Sequence, residues 1–155
     1  MYKLPGALSH QWALLPLRLV VGYGFFAHGL AKWNRGAEKF AKLLTVLGVP
    51  APAITARAVT AIELLGGLAI MLGALVVLAS IPLLASMVVA MFTIHVHYGF
   101  SAVNTIGLTT TGPVLGPPGY EINLLYIGAL VALALTGPGA LSVDGWLRSR
   151  RKRSG

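Results

Sequence analysis

Seven residues interrupt otherwise apolar runs with ionisable or strongly hydrogen-bonding side chains: His28, Lys32, Glu63, His95, His97, Glu121 and Asn123. Carboxylate and imidazole groups can hold and release protons, and ammonium or imidazole N–H groups can donate to a carbonyl. Inside hydrocarbon such groups are costly, so they face a bundle interior or a polar cavity. The set suits proton relay or recognition of a small polar headgroup. Metal chemistry asks for more. Carboxylate-bridged metal bundles use Glu-x-x-His pairs on a helix, and the chain has none. It also lacks cysteine, HExxH and a phosphate-binding glycine loop. A haem held by His28 with His95 or His97 is conceivable on spacing, but no other residue calls for one, so metal and haem are both disfavoured.

The elements that position these residues follow from composition. Of 155 residues, 56% are hydrophobic and only 10% charged; mean hydropathy is +0.79. Soluble domains carry roughly 25% charged residues, so the solvent is a bilayer and the length fits one domain, 1–155. The first apolar run, 12–33, is bounded by Trp12 and Trp33. At ~1.5 Å per residue these tryptophans lie about 31 Å apart, near the ~30 Å hydrocarbon thickness, and read as interfacial belts. Arg18 falls within snorkelling reach of the nearer interface. A signal peptide is excluded by Arg18, His28 and Lys32 within the run and by the lack of a small-residue cleavage site.

Residues 34–52 are amphipathic, with Phe40, Leu43, Leu44 and Leu47 at helical spacing, which predicts a short helix lying in the interface. The run 58–94 is too long for one crossing, and Ser80-Ile81-Pro82 offers a helix start. Four membrane helices result, at about 12–33, 55–78, 82–98 and 120–136. A Gly-, Thr- and Pro-rich connection spans 99–119, and a basic tail occupies 148–155. The expected fold is all-α: an integral membrane four-helix bundle with a short interfacial amphipathic helix between helices one and two.

These directions put the seven polar residues in the half of the bilayer opposite the termini. Glu63 shares a stripe with Thr60, Gly66, Gly67 and Gly73, small residues that permit close helix contact. His28 and Lys32 are i, i+4 neighbours on a face with Gly24 and Phe25. His97 continues a stripe of Ser86, Ala90 and Thr93, whereas His95 falls with Val88, Met91 and Phe92, so faces alone favour His97. Plainer roles stand beside these: Glu63 as helix–helix glue, Lys32 as an interfacial anchor, Glu121 as a charge matched to a helix N-terminus.

The net charge is +8. Five of the twelve basic residues lie in the last eight positions, and five more (Lys32, Arg35, Lys39, Lys42, Arg57) flank the connection between helices one and two. Basic residues at membrane-segment ends report topology and anionic headgroups, so nucleic acid is excluded as a partner. Seven basic residues on the termini side against five opposite place both termini in the cytoplasm.

The motifs taken in order resemble the DoxX family of small membrane proteins. They are Arg18 with Gly22, Phe25, His28, Gly29 and Lys32; Leu47-Gly48-Val49-Pro50; Glu63-Leu64-Leu65-Gly66-Gly67; and His95 before Gly99-Phe100. They continue with Gly119-Tyr120-Glu121, Asn123-Leu124-Leu125, the stretch from Leu135 to Gly139, and Ser142-Val143-Asp144. The resemblance covers nearly the whole chain and favours His95, so both histidines stay candidates. Val76-Val77 stands where the family often carries Thr-Arg.

The resemblance implies a multi-pass protein of a prokaryotic plasma membrane, in a family named after a subunit of an archaeal thiosulfate:quinone oxidoreductase. The implied role is a membrane subunit or anchor, quinone-interacting or non-catalytic, that links a redox partner protein to the quinone pool, alone or as a homo-oligomer. On that reading quinone is the candidate cofactor. His and Lys side chains donate to its carbonyls, Glu63 relays protons, and Phe25, Phe92 and Tyr98 supply ring contacts. One alternative is a non-catalytic interaction or lipid-handling protein whose polar cluster is structural. Another is a small-solute or proton transporter, weakened by the lack of an internal repeat.

Overall fold

A computed structural model describes residues 7–151. The elements are α1 (Ala7–Arg35), α2 (Ala37–Val46), α3 (Pro52–Leu72), α4 (Val76–Thr93), a 3₁₀ turn (His95–Tyr98), strands β1 (Thr105–Thr109) and β2 (Gly112–Leu115), α5 (Glu121–Thr136) and α6 (Val143–Arg151). Among the described residues three helices are long and apolar enough to cross a membrane: Gln11–Arg35, Pro52–Leu72 and Val76–Thr93. The fourth apolar helix, α5, has 16 residues, about 24 Å at ~1.5 Å per residue.

Neighbouring helices form a closed ring: α1 packs on α3, α3 on α4, α4 on α5, and α5 returns to α1. The α1–α3 seam is the most intimate because glycines line both sides. A Cβ at Gly22 would lie 2.7 Å from the Gly67 carbonyl oxygen, and one at Gly67 would lie 2.5 Å from Phe26 N. Substituting either residue would force the backbones apart. The core follows the ring, with Phe25, Ile70, Leu83, Leu130 and Leu133 essentially inaccessible and Phe25 edge-on to Tyr126 at 5.1 Å. The amphipathic α2 lies against the ends of α1 and α3 with Leu44 buried.

Three sequence expectations are corrected. The break between the second and third long helices falls at Gly73–Leu75, earlier than Ser80–Pro82. Gly73 takes a left-handed conformation at φ 64°, which suits glycine and ends the helix. The carboxylate of Asp144 then accepts N–H bonds from Leu75 (2.9 Å) and Val76 (3.3 Å), satisfying donors that a helix start leaves open. Pro82 consequently lies inside α4, as membrane helices tolerate. The 99–119 connection is also more ordered than its composition suggests, since β1 and β2 pair as an antiparallel hairpin. Part of the basic tail is helical, as α6.

Arg18 is the third correction. It does not snorkel to an interface but is 1% exposed. Its guanidinium donates to the carbonyl oxygens of Met71 (3.1 Å), Pro138, Ala140 (3.2 Å) and Leu141 (2.9 Å). One planar fork therefore ties α1 to the last turn of α3 and to the segment after α5. The carbonyl dipoles of that α3 terminus favour a cation there. Gln11 O accepts from Ala140 N at 2.9 Å, so the beginning of α1 and the start of the 140–151 segment share this end of the ring.

Candidate functional site

Toward the opposite end lies an ion pair between two of the residues singled out in the sequence. Glu63 is near the middle of α3 and 3% exposed, and its carboxylate accepts from the Lys32 ammonium through both oxygens. The pairing follows from helix geometry. A Cβ at Gly29 would lie 3.1 Å from Glu63 Cβ, so Lys32 sits about one turn further along α1 than the level of Glu63. Helical side chains lean toward their own N-terminus. Because α1 and α3 are antiparallel, Lys32 leans inward and Glu63 leans outward, and they meet. Lys32 Nζ also lies 5.1 Å from the Phe40 ring centroid, so α2 covers the pair through a cation–π contact.

Beside the pair is a cavity of about 450 Å³ lined by Lys32, Trp33, Arg57, Thr60, Leu64 and Leu65, among others. Arg57 is exposed, and its guanidinium has no ion pair among the described residues. Two cations, Lys32 and Arg57, are among the residues of a mainly apolar lining, and the Glu63 carboxylate is buried behind Lys32, outside that lining. The cavity can donate to an acceptor headgroup and seat an apolar ring or tail.

The remaining sequence candidates are dispersed. His28 is exposed, because the buried stripe of α1 runs through Leu14, Arg18, Val21, Phe25 and Gly29 and leaves position 28 at its edge. His97 is exposed, while His95 is half-buried with Nδ1 2.9 Å from Pro118 O. The face argument for His97 fails because α4 ends at Thr93 and the 95–98 turn is 3₁₀. Its tighter winding breaks the 3.6-residue stripe.

Glu121 opens α5, and its carboxylate accepts from Ala102 N at 2.8 Å, anchoring the loop before the hairpin. Asn123 is 3% exposed; its amide N–H donates to Met87 O at 3.3 Å while Oδ1 is buried without a partner among the described residues. With Gly66 against Leu83 across the α3–α4 seam, Asn123 lies near the depth of Glu63. Phe25 is in the core, and Phe92 and Tyr98 are exposed; none of the three lines the cavity. Among the described residues no three His, Asp or Glu side chains converge as a metal site.

Sequence reasoning missed Arg57 and Trp33 as cavity residues and Phe40 as the cover of Lys32. A signal existed for Arg57: with Thr60, Ala61 and Leu64 it forms an i, i+3, i+4, i+7 stripe.

Glycine-seamed apolar helices joined by an ion pair to a buried carboxylate define a multi-pass helical membrane protein. The DoxX family model matches residues 13–96, more than half of the chain, and the protein belongs to the DoxX family. It is similar to an uncharacterized protein of Haemophilus influenzae, 28% identical over 136 residues that make up 85% of this chain and 81% of the relative. It is also similar to a Bacillus subtilis protein named "Putative oxidoreductase CatD", 26% identical over 144 residues, 93% of each chain. No solved structure matches the chain significantly.

Proposed function

We propose that the protein is a membrane subunit or anchor that joins an oxidoreductase partner to the quinone pool of a prokaryotic plasma membrane. On this reading α5 makes a fourth crossing, supported by its place in the helix ring, and both termini are cytoplasmic. The observation that carries the proposal is the Lys32–Glu63 pair beside a cavity that also presents Arg57.

A quinone taken up there supplies two-electron, two-proton carriage, with electrons delivered by the partner. The chain does the rest. Lys32 and Arg57 donate N–H groups to carbonyl oxygens, Trp33, Leu64 and Leu65 contact ring and tail, and Glu63 provides a carboxylate that exchanges protons beside Lys32. The residues fit such a headgroup because a mainly apolar lining includes the two donor side chains Lys32 and Arg57. The oxidoreductase name of the Bacillus subtilis relative agrees with this role.

The test uses the purified protein in mild detergent with a short-chain ubiquinone. Trp33 fluorescence is expected to be quenched saturably; Trp33→Phe removes the saturable component and Lys32→Gln weakens it. Quenching that never saturates, or that survives Trp33→Phe unchanged, overturns the proposal. Topology is tested separately. A C-terminal reporter active only in the cytoplasm should be active, and one inserted at Thr110 should not.

The second reading, a structural polar core in an interaction or lipid-handling protein, is favoured by the exposure of His28 and His97. It leaves Glu63 with Lys32 alone as a hydrogen-bonding partner, and it predicts no saturable quenching.

A further inference from the structure

A larger cavity, about 1350 Å³, lies at the Arg18 end, between α1, the end of α3, the segment after α5, and α6. Its polar lining includes Gln11, Arg18 and Arg148, and Trp146 stands beside them; Leu19 and Leu72 supply apolar wall. The charges are unbalanced. Arg18 is buried with only carbonyl partners, and Arg148 has no ion pair among the described residues. The Arg150 guanidinium stacks 4.1 Å over the Trp146 ring. Asp144 is the single acid between 137 and 151, and its carboxylate is committed to the start of α4. Two arginines, Arg18 and Arg148, thus line a cavity whose lining holds no acid and is otherwise largely apolar.

We propose that this cavity seats one anionic glycerophospholipid, with its phosphate against Arg148 and its upper acyl chains along Leu19 and Leu72. Three features select that ligand. The volume far exceeds a free inorganic anion. The exposed apolar wall, with Leu19 46% and Leu72 52% accessible, matches acyl chains. A zwitterionic headgroup brings its own cation toward a site that already has an excess, whereas an anionic one relieves it. Basic pockets between membrane helices recognise anionic headgroups on the same grounds. The bound lipid braces α6 against the Arg18 clamp. This site is separate from the Lys32–Glu63 cavity and does not depend on what that cavity binds.

The experiment takes the full chain, delipidated in mild detergent, and titrates it with phosphatidylglycerol, phosphatidylcholine or inorganic phosphate. Thermal melting and native mass spectrometry are the readouts. Phosphatidylglycerol is expected to raise the melting temperature and to be retained one per chain, while phosphatidylcholine and phosphate do neither. Arg148→Gln, on exposed α6, weakens retention about tenfold, the order expected for one lost charge-assisted hydrogen bond. Leu19→Trp, which fills apolar wall, lowers retention with Arg148 in place. Lys42→Gln, the same charge loss at the other end, leaves retention unchanged. An equal response to phosphatidylcholine overturns the proposal, as does an equal response to phosphate, which would mean a simple anion site. Unchanged retention in both Arg148→Gln and Leu19→Trp, or an equal loss in Lys42→Gln, also overturns it.

Discussion

Helix α1 carries two cations on one face, buried Arg18 and half-buried Lys32, fourteen positions or about 21 Å apart at ~1.5 Å per residue, and the protein satisfies their N–H donors differently. Arg18 is surrounded by four backbone carbonyls from two other segments. Its planar fork reaches several acceptors at once, which a lysine ammonium does less well. Lys32 meets a single carboxylate, Glu63, under an aromatic cover. Carbonyls do not titrate, so the Arg18 end is a fixed clamp. The Lys32 end pairs two side chains, and Lys32 lines a cavity that a further cation, Arg57, also lines. Burial of charge by itself therefore says little about function. The counter-group, and what lies beside it, separate a backbone clamp from a side-chain ion pair next to a cavity.

Substitution at the clamp should have the largest effect on stability. Arg18→Met removes four hydrogen bonds and strands buried carbonyls, so equilibrium unfolding in mixed micelles should show a loss of about 3–5 kcal/mol. Arg18→Lys should recover only part of it. If Arg18→Met melts like the parent, the clamp is not what holds the segment after α5 to the ring.

The pair should behave differently. Glu63→Leu leaves Lys32 without its counter-charge, but a side chain 25% exposed can turn toward water, so the loss should be nearer ~1–2 kcal/mol. Glu63→Gln should cost less than Leu, about 1 kcal/mol or below, because it retains an acceptor. If the pair is reactive, the same Gln variant should lose saturable quinone quenching with the fold intact. The reversed pair, Lys32→Glu with Glu63→Lys, should restore stability over either single reversal. Failure of that rescue would sink the claim that the two side chains act as a unit.

The smallest effect is expected at Asn123. Its amide makes one long bond and its Oδ1 makes none, so Asn123→Leu removes an unsatisfied acceptor along with a weak contact. Stability should stay within about 0.5 kcal/mol of the parent. A large loss would show that Oδ1 has a partner, such as a buried water, in the working protein.

Much of this was legible from residue order. The tryptophan spacing, the glycine stripe around Glu63 and the amphipathic stretch after residue 34 are local patterns with local physical causes, and each gave an element close to the one observed. The helix break was not legible, because Ser80 and Pro82 carry a familiar helix-start signal while the actual start depends on Asp144, 69 positions from Leu75. Nor was the hairpin, whose residues carry no strong alternation.

The sequence by itself determined that this chain belongs in a bilayer, since too few charged residues exist to cover a soluble surface, and roughly where its long apolar helices would run. It also set out the ionisable residues that such a solvent makes expensive. Only the tertiary structure decided which of them meet. Residue order places His28 one turn from Lys32, but the packing of α1 on α3 turns Lys32 to Glu63 and leaves His28 outside. Periodicity ran the third long helix through His97, but that helix stops at Thr93 and rewinds as 3₁₀. Counter-charges lie far apart in sequence and are chosen by helix contact, and helix contact depends on every residue along the seam at once.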